Sequence, residues 1–313
     1  MSPAPAPVSA PAGAATAAGG DALRRAAAAG EFLGVVGAPF ALAARLVERA
    51  GFDAVYLSGA AFSAGGLGVP DIGLFTRDQL VEQTRILARS TTLPVVVDAD
   101  TGFGEPRDVE ETVRLLEAAG AAAIQLEDQV GADKRCGHLT GKQVVDQGEM
   151  CDKLAAAAAG RRDPGTVIVG RSDARGVHGL DDCVRRLHAY REAGADWLFP
   201  EALASRDEFT RVGREFAGSA PLLANMTEFG AGPLFSIPDL AAAGFTAVLY
   251  PVTLLRLAMK AMEAGLAVLA DEGTQESLLD LMQSREELYD LLGYDPRHPE
   301  RHRAATRTED PRP

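Results

Sequence analysis

Between Phe32 and Tyr250 the chain alternates two kinds of segment. Short apolar, β-prone runs are separated by longer stretches rich in Ala, Leu, Arg and Glu. The runs are FLGVV from Phe32, AVYL from Ala54, LPVVV from Leu93, AAIQL from Ala122, TVIVG from Thr166, DWLF from Asp196, PLLA from Pro221 and AVLY from Ala247. They lack the polar alternation of a half-exposed sheet, so they are expected to be buried on both faces, as parallel strands joined by helical crossovers are. Four are introduced by one device, a helix ending in Ala-Gly followed at once by a strand: RAGFDAVYL, AAGAAAIQL, EAGADWLF and AAGFTAVLY. Gly51, Gly120, Gly194 and Gly244 then stand where a helix C-terminus wants a residue tolerant of positive φ. Eight strand–helix units in 313 residues predict an α/β fold, a closed (β/α)8 TIM-type barrel, with an open doubly wound sheet as its rival.

The flanks read differently. Residues 1–20 are Ala/Pro-rich and broken by prolines, which predicts a disordered tail; 252–271 reads as a helix and TQESLLDLMQSREELYDLL from Thr274 as another. The expected organisation is a tail over 1–20, a single barrel domain with a C-terminal helical extension over 21–292, and a polar tail over 293–313.

Composition narrows the function. Hydrophobic residues make 47% and charged residues 24%, ordinary for a folded globular chain. The net charge of −13 would repel a phosphate backbone, so nucleic acid is not an expected partner. Three cysteines cannot close a disulfide framework and suit a reducing compartment. The first twenty residues carry no Lys or Arg and no apolar core of a secretory signal. The nearest approach to a membrane span, Val252 to Ala270, contains Arg256, Lys260 and Glu263. A cytoplasmic protein without membrane partners is expected.

Candidate chemistry gathers at the C-terminal ends of the strands, the working face of such a barrel. There stand Ser58-Gly59, Asp98-Ala99-Asp100, Glu127-Asp128-Gln129, Arg171-Ser172-Asp173, Pro200-Glu201, Asn225-Met226-Thr227-Glu228 and Tyr250. Asp98 and Asp100, two apart on an extended backbone, lie roughly 7 Å apart at Cα. Hard oxygen ligands without a His or Cys cluster suit Mg²⁺ or Mn²⁺. An aspartate that merely caps a turn is the alternative for this pair alone; Glu127 and Asp128 on the next strand favour the metal. After strand four a long loop, Val130 to about Gln147, replaces the usual short connection. It contains Lys134-Arg135-Cys136-Gly137-His138, where two cations and an imidazole favour a lowered thiol pKa and proton exchange near neutrality. Cys183, and Cys151 with it, read as packing residues on helices.

These stretches together resemble the isocitrate lyase and phosphoenolpyruvate mutase superfamily, and most nearly its methylisocitrate-cleaving branch. The matching segments run from YLSG at Tyr56 through GVPDIG at Gly68, VDADTGFG at Val97, IQLEDQVGADKRCGH at Ile124, GRSDA at Gly170, LFPEA at Leu198, NMTEFG at Asn225 and LYPVTLLR at Leu249 to GTQESLLDLMQSREELY at Gly273. The resemblance implies cleavage of a tricarboxylate, 2-methylisocitrate, to pyruvate and succinate, as in propionate catabolism by the methylcitrate cycle. It implies Mg²⁺ on Asp98 and Asp100, with Glu127 and Asp71 in support. Cys136 is the implied proton donor, assisted by His138 and Arg171, and Tyr56 is the candidate base. Substrate contacts are implied for Ser58, Gly59, Ala60, Gly137, Arg171, Glu201, Asn225, Met226, Thr227, Arg256 and Arg285. Phe199, Leu249 and Pro251 resemble the wall that makes room for a 2-methyl group. A homotetramer that exchanges a C-terminal helix is implied as well. Two features depart from the branch: Ala60 replaces the second glycine of Ser-Gly-Gly, and Leu139-Thr140-Gly141-Lys142 is more like isocitrate lyase. The alternatives are therefore isocitrate lyase, another 2-hydroxy-dicarboxylate lyase, an oxaloacetate-type hydrolase, and a barrel that binds without catalysis.

Overall fold

The computed structural model describes residues 15–131, 134–135, 141–230 and 232–300. The described residues divide into a first unit that ends at Leu257 and a second that begins at Ala258. In the first, each of the eight apolar runs forms a parallel strand: β1 Leu33–Gly37, β2 Ala54–Leu57, β3 Val95–Asp98, β4 Ala123–Glu127, β5 Val167–Ser172, β6 Trp197–Pro200, β7 Leu223–Asn225 and β8 Ala247–Tyr250. Their order is β6-β5-β4-β3-β2-β1-β8-β7, and a parallel bridge between Leu198 and Leu222 joins the two ends into a (β/α)8 barrel.

Among the described residues ten α-helices belong wholly to this unit, beside a π-helical turn over Phe62–Gly66. They are α1 Ala15–Ala28, α2 Ala41–Arg49, α3 Gly59–Ala61, α4 Arg77–Ser90, α5 Pro106–Ala119, α6 Gln147–Gly160, α7 Arg175–His178, α8 Leu180–Glu192, α9 Arg206–Glu215 and α10 Ile237–Ala242. The Ala-Gly junctions behave as their sequence demands: φ is +80° at Gly51, +108° at Gly120, +115° at Gly194 and +92° at Gly244. A side chain there would strain the left-handed turn that ends each helix.

Strand parity divides the apolar side chains into two clusters. Leu33, Val35, Tyr56, Val96, Val167, Val169, Trp197, Phe199, Leu223 and Leu249 pack together inside the barrel. Their strand neighbours Val55, Val97, Ile124, Ile168, Leu198 and Val248 pack outward with helix residues such as Leu80, Leu116 and Leu187. Each such fully buried side chain stabilises the fold by about 1.5–3 kcal/mol.

Two expectations about the flanks are corrected. Residues 15–20 are helical, because α1 starts at Ala15 and runs across the starts of the strands. Leu23 joins the interior cluster, while Arg24 donates from Nε to the Gly165 carbonyl at 2.9 Å and from Nη2 to that of Thr166 at 3.0 Å. Gly20 permits this approach: a Cβ there would stand 2.4 Å from the Gly165 oxygen. The helix expected from Thr274 is broken. A 3-10 turn spans Glu276–Leu281, and α12, Arg285–Leu292, starts afresh because Ser284 caps it reciprocally with Glu287. The preceding helix, α11 Thr253–Glu272, runs from the first unit into the second. Among the described residues no helix is long and apolar enough to cross a membrane.

Cys183 is fully buried in the outer cluster, and burial pushes its thiol up to about 12. It is therefore expected to resist iodoacetamide at pH 8 in the folded protein and to react once the chain is unfolded, which peptide mass mapping reads directly. Labelling of native Cys183 at the rate of a free thiol would contradict this packing.

Candidate active site at the C-terminal mouth of the barrel

The parity that buries Val96, Val169 and Phe199 inside the barrel carries on into the polar residues. Asp98 follows Val96, Arg171 and Asp173 follow Val169, Glu201 follows Phe199, and Asn225 follows Leu223 on the same inward series. On β4 the series is Ala123, Gln125 and Glu127. Sequence reading passed over Gln125, although its place two residues before Glu127 was available as a signal.

Asp98 is held by three donors. Its Oδ1 accepts from Gln125 Nε2 at 3.1 Å and from the Asp100 N–H at 3.2 Å, and its Oδ2 accepts from the Gly59 N–H at 3.1 Å. Asp100 does not continue the strand as the extended reading expected; its φ is +50°. That turn folds the second carboxylate back toward the first. A Cβ on Gly59 would lie 3.1 Å from both Asp98 Oδ2 and Asp100 Oδ1, so Gly59 leaves space between two converging carboxylates. Lys134 closes the far side, its Nζ 2.5 Å from Asp100 Oδ1 and 2.7 Å from Asp71 Oδ1. Even so, burial raises the Asp100 carboxyl to about 7, with Lys134 lowering it and Asp98 adding to the rise.

Arg171 is the centre of the second group. It is buried, and its Nε lies 2.8 Å from Asp173 Oδ2 and 3.3 Å from Glu127 Oε2, while Nη2 lies 3.7 Å from Glu201 Oε2. Its guanidinium carbon sits 5.1 Å from the Phe199 ring centroid. Burial alone would lower the Arg171 pKa, but Asp173, Glu127 and Glu201 outweigh it and hold the guanidinium firmly charged. Asp173 also receives Lys142 Nζ at 2.5 Å, and Glu201 receives Asn225 Nδ2 at 3.2 Å. Burial pushes the Glu127 carboxyl well up, Arg171 opposes this, and Asp173 reinforces it.

Tyr56 lies inside the barrel with its hydroxyl donating to Gln125 Oε1 at 2.5 Å. Burial, then the charge of Asp98, raises its pKa well above the usual phenol value. The phenol thus holds its proton and spends it on Gln125, the reverse of what a resting base requires. Asp128 also departs from expectation. One position out of phase with Glu127, it faces the helices, accepting from the Asp173 N–H at 2.7 Å, Ser172 Oγ at 2.8 Å and Tyr190 Oη at 2.7 Å, with Arg186 Nη1 at 3.3 Å. It braces the outer layer and takes no part in the mouth.

The remaining candidates are scattered more widely. Ser58 is buried and its Oγ accepts from the Ala61 N–H at 3.2 Å, starting the turn that presents Gly59 and the half-buried Ala60. Met226 Sδ accepts from the Phe235 N–H at 3.2 Å, and Thr227 is half-buried. Arg256 pairs with Glu228 Oε2 at 3.5 Å and lies 5.2 Å from the Phe229 ring centroid. Leu249 and Pro251 are buried at the end of β8. Arg285 belongs to the second unit. Cys136, Gly137 and His138 lie outside the described residues.

The donor set fits a divalent ion. Five buried carboxylates (Asp98, Asp100, Glu127, Asp173 and Glu201) meet three buried cations, Arg171, Lys134 and Lys142. Burial, more than neighbouring charge, raises the Asp100 and Glu127 carboxyls, and a divalent cation beside them would offset the cost of keeping them ionised. Among the described residues no three His, Cys, Asp or Glu side chains form a metal-ligating cluster. The paired carboxylate oxygens of Asp98 and Asp100 are hard donors of the kind Mg²⁺ takes, one or two at a time, while keeping its waters.

Similarity to known proteins follows the same lines. The family model for phosphoenolpyruvate phosphomutase matches residues 24–270. A 2-methylisocitrate lyase of Aeropyrum pernix is 51% identical over 253 residues, covering 80% of each chain. The crystal structure of a 2,3-dimethylmalate lyase superposes with a TM-score of 0.84 at 33% identity, covering 96% of this chain and 97% of the other. That of a phosphonopyruvate hydrolase in complex with oxalate and Mg²⁺ gives 0.80 at 30% identity, covering 93% and 98%. With the barrel, its mouth and these likenesses in agreement, the chain belongs to the phosphoenolpyruvate mutase and isocitrate lyase superfamily.

Proposed function

We propose that this protein is a Mg²⁺-dependent carbon–carbon lyase that cleaves 2-methylisocitrate to pyruvate and succinate. The observation that carries the reading is the pair of buried carboxylates, Asp98 and Asp100, converging on Gly59, with an ion-paired Arg171 on the same inward series, in a chain half-identical to a 2-methylisocitrate lyase. Asp98 and Asp100 would hold the ion, with Glu127 behind them; Mn²⁺ would suit the same oxygens. When bound, Mg²⁺ supplies Lewis-acid polarisation of the substrate hydroxyl and its neighbouring carboxylate.

The chain's own residues supply the rest. Asp173 and Glu127 fix the Arg171 guanidinium, leaving it charged to meet the negative charge that grows on the succinate fragment. A basic group at the mouth takes the hydroxyl proton, the hydroxyl-bearing carbon becomes the keto carbon of pyruvate, and the broken carbon–carbon bond leaves its electron pair on the adjoining carbon. Cys136 delivers the proton that completes succinate, with His138 in support. Tyr56 and Gln125 act as a donor chain that orients Asp98. Ser58, Gly59, Gly137, Glu201, Asn225, Thr227 and Arg256 bind the carboxylates, and Phe199, Leu249 and Pro251 accommodate the methyl group.

A cytoplasmic homotetramer completes the reading, supported by Met259, Met262, Leu266 and Leu269, exposed along α11 in the second unit. The test is pyruvate release in a dehydrogenase-coupled assay. We expect kcat/KM for methylisocitrate to exceed that for isocitrate by about 10-fold or more, the discrimination one methyl group in an apolar pocket gives. Preference for isocitrate, or hydrolysis of oxaloacetate without lyase activity, would overturn the substrate assignment.

A further inference from the structure

Gln129 has no part in the chemistry above, yet it is 1% exposed and makes more directed contacts than any residue whose side chain merely fills space. Its Oε1 accepts from the Arg135 N–H at 3.0 Å, and its Nε2 donates to the Arg135 carbonyl at 2.9 Å. The side-chain amide thus mimics a strand, gripping one peptide unit on each side of Arg135. The same Nε2 donates to Glu127 Oε1 at 3.0 Å and lies 3.4 Å from Asp173 Oδ1. These are the two carboxylates that fix Arg171. The orientation of the amide is unambiguous, since turning it over would set its NH₂ against the Arg135 N–H and its oxygen against two acceptors.

The backbone on either side is anchored independently. Val130 N–H donates to the Gln143 carbonyl at 3.0 Å, Val145 N–H donates to that of Asp128 at 2.9 Å, and Gln129 bridges Val144 in antiparallel fashion. The ends of the long connection are therefore held without the Gln129 side chain. What that side chain adds is registration of Lys134-Arg135 against Glu127 and Asp173. Lys134 in turn carries the ammonium that spans Asp71 and Asp100.

We propose that Gln129 is a positioning residue: its carboxamide couples the Lys134-Arg135 segment to the carboxylates that fix Arg171, so that both halves of the mouth are set by one side chain. It touches neither substrate nor reacting atoms and acts through Arg135, Glu127 and Asp173. This rests on the lyase reading for its kinetic consequence, but its structural consequence is independent of any substrate.

The test uses the full chain carrying Gln129→Met, which keeps length and volume and removes every hydrogen bond, beside Gln129→Asn, which keeps the amide one methylene short. Hydrogen exchange read by mass spectrometry should show at least tenfold faster exchange in the peptide containing Lys134 and Arg135 in Gln129→Met, with β3, β5 and α8 unchanged. Steady-state kinetics on methylisocitrate should show kcat falling by about 10- to 100-fold with KM moving less than threefold, and Gln129→Asn recovering part of kcat. Unchanged local exchange, or faster exchange throughout the barrel, would overturn the proposal. So would a normal kcat, or an effect confined to KM. A wild-type chain inactive on methylisocitrate would defeat the lyase reading alone, because the exchange measurement still decides whether Gln129 holds Arg135.

Discussion

Removal of divalent metal with EDTA is expected to abolish pyruvate release, and excess Mg²⁺ to restore it fully. Asp98→Asn should lower activity by about 10³-fold or more even at saturating Mg²⁺, since several kcal/mol of charge stabilisation go with the ion and each ~1.4 kcal/mol is a factor of ten. The substitution is nearly isosteric. Its amide oxygen can still accept from Gln125 and from the Asp100 N–H, so a folded protein is expected by circular dichroism. What it loses is one of the two charges converging on Gly59, together with the acceptor for the Gly59 N–H. Gly59→Ala is the steric counterpart: a methyl group 3.1 Å from both carboxylates should weaken Mg²⁺ binding without removing any charge. An EDTA-insensitive enzyme, or an Asp98→Asn variant with wild-type turnover, would remove the ion from the mechanism.

The barrel was legible because its strands announce themselves twice, as apolar runs and by the Ala-Gly junctions before four of them, and both signals arise from backbone and burial requirements local in sequence. α1 was hidden because alanine and glycine carry little periodic signal and its packing rests on Gly20 fitting under Gly165, a long-range coincidence of shape. At the mouth, Asp98, Glu127 and Arg171 stood out as charged ends of apolar strands. The ion pairs of Lys134 and Lys142 did not, since each is defined by a partner 31 to 63 residues away. Asp128 shows the limit of reading a strand end by composition alone. Neighbouring carboxylates on one strand point to opposite faces, and only registration against β5 and α8 shows that Asp128 is the outward one. Gln125 was overlooked, and Gln129 named at a strand end without a role, for the opposite reason: uncharged amides look unremarkable in sequence, yet they can donate and accept at once and so join carboxylates to each other or to backbone.

Cys136→Ser should lower kcat for methylisocitrate by about 10²- to 10⁴-fold, the range associated with loss of a general acid, while leaving Mg²⁺-dependent binding of pyruvate or a succinate analogue intact. A serine hydroxyl is similar in size but far too weak an acid to release its proton to a carbanion-like carbon at the required rate. The neighbouring Lys134 and Arg135 bring positive charge to that stretch of chain, and Lys134 is itself bound at the mouth through Asp100. The three thiols can be told apart chemically. Cys183 is buried and neutral, and burial also raises the Cys151 thiol, so neither has the environment of a reactive thiolate. Inactivation by an alkylating agent should therefore track modification of Cys136, be slowed by substrate with Mg²⁺, and persist in a Cys151→Ala variant. Near-normal turnover by Cys136→Ser, or inactivation that follows Cys151 instead, would transfer the proton delivery to another group at the mouth.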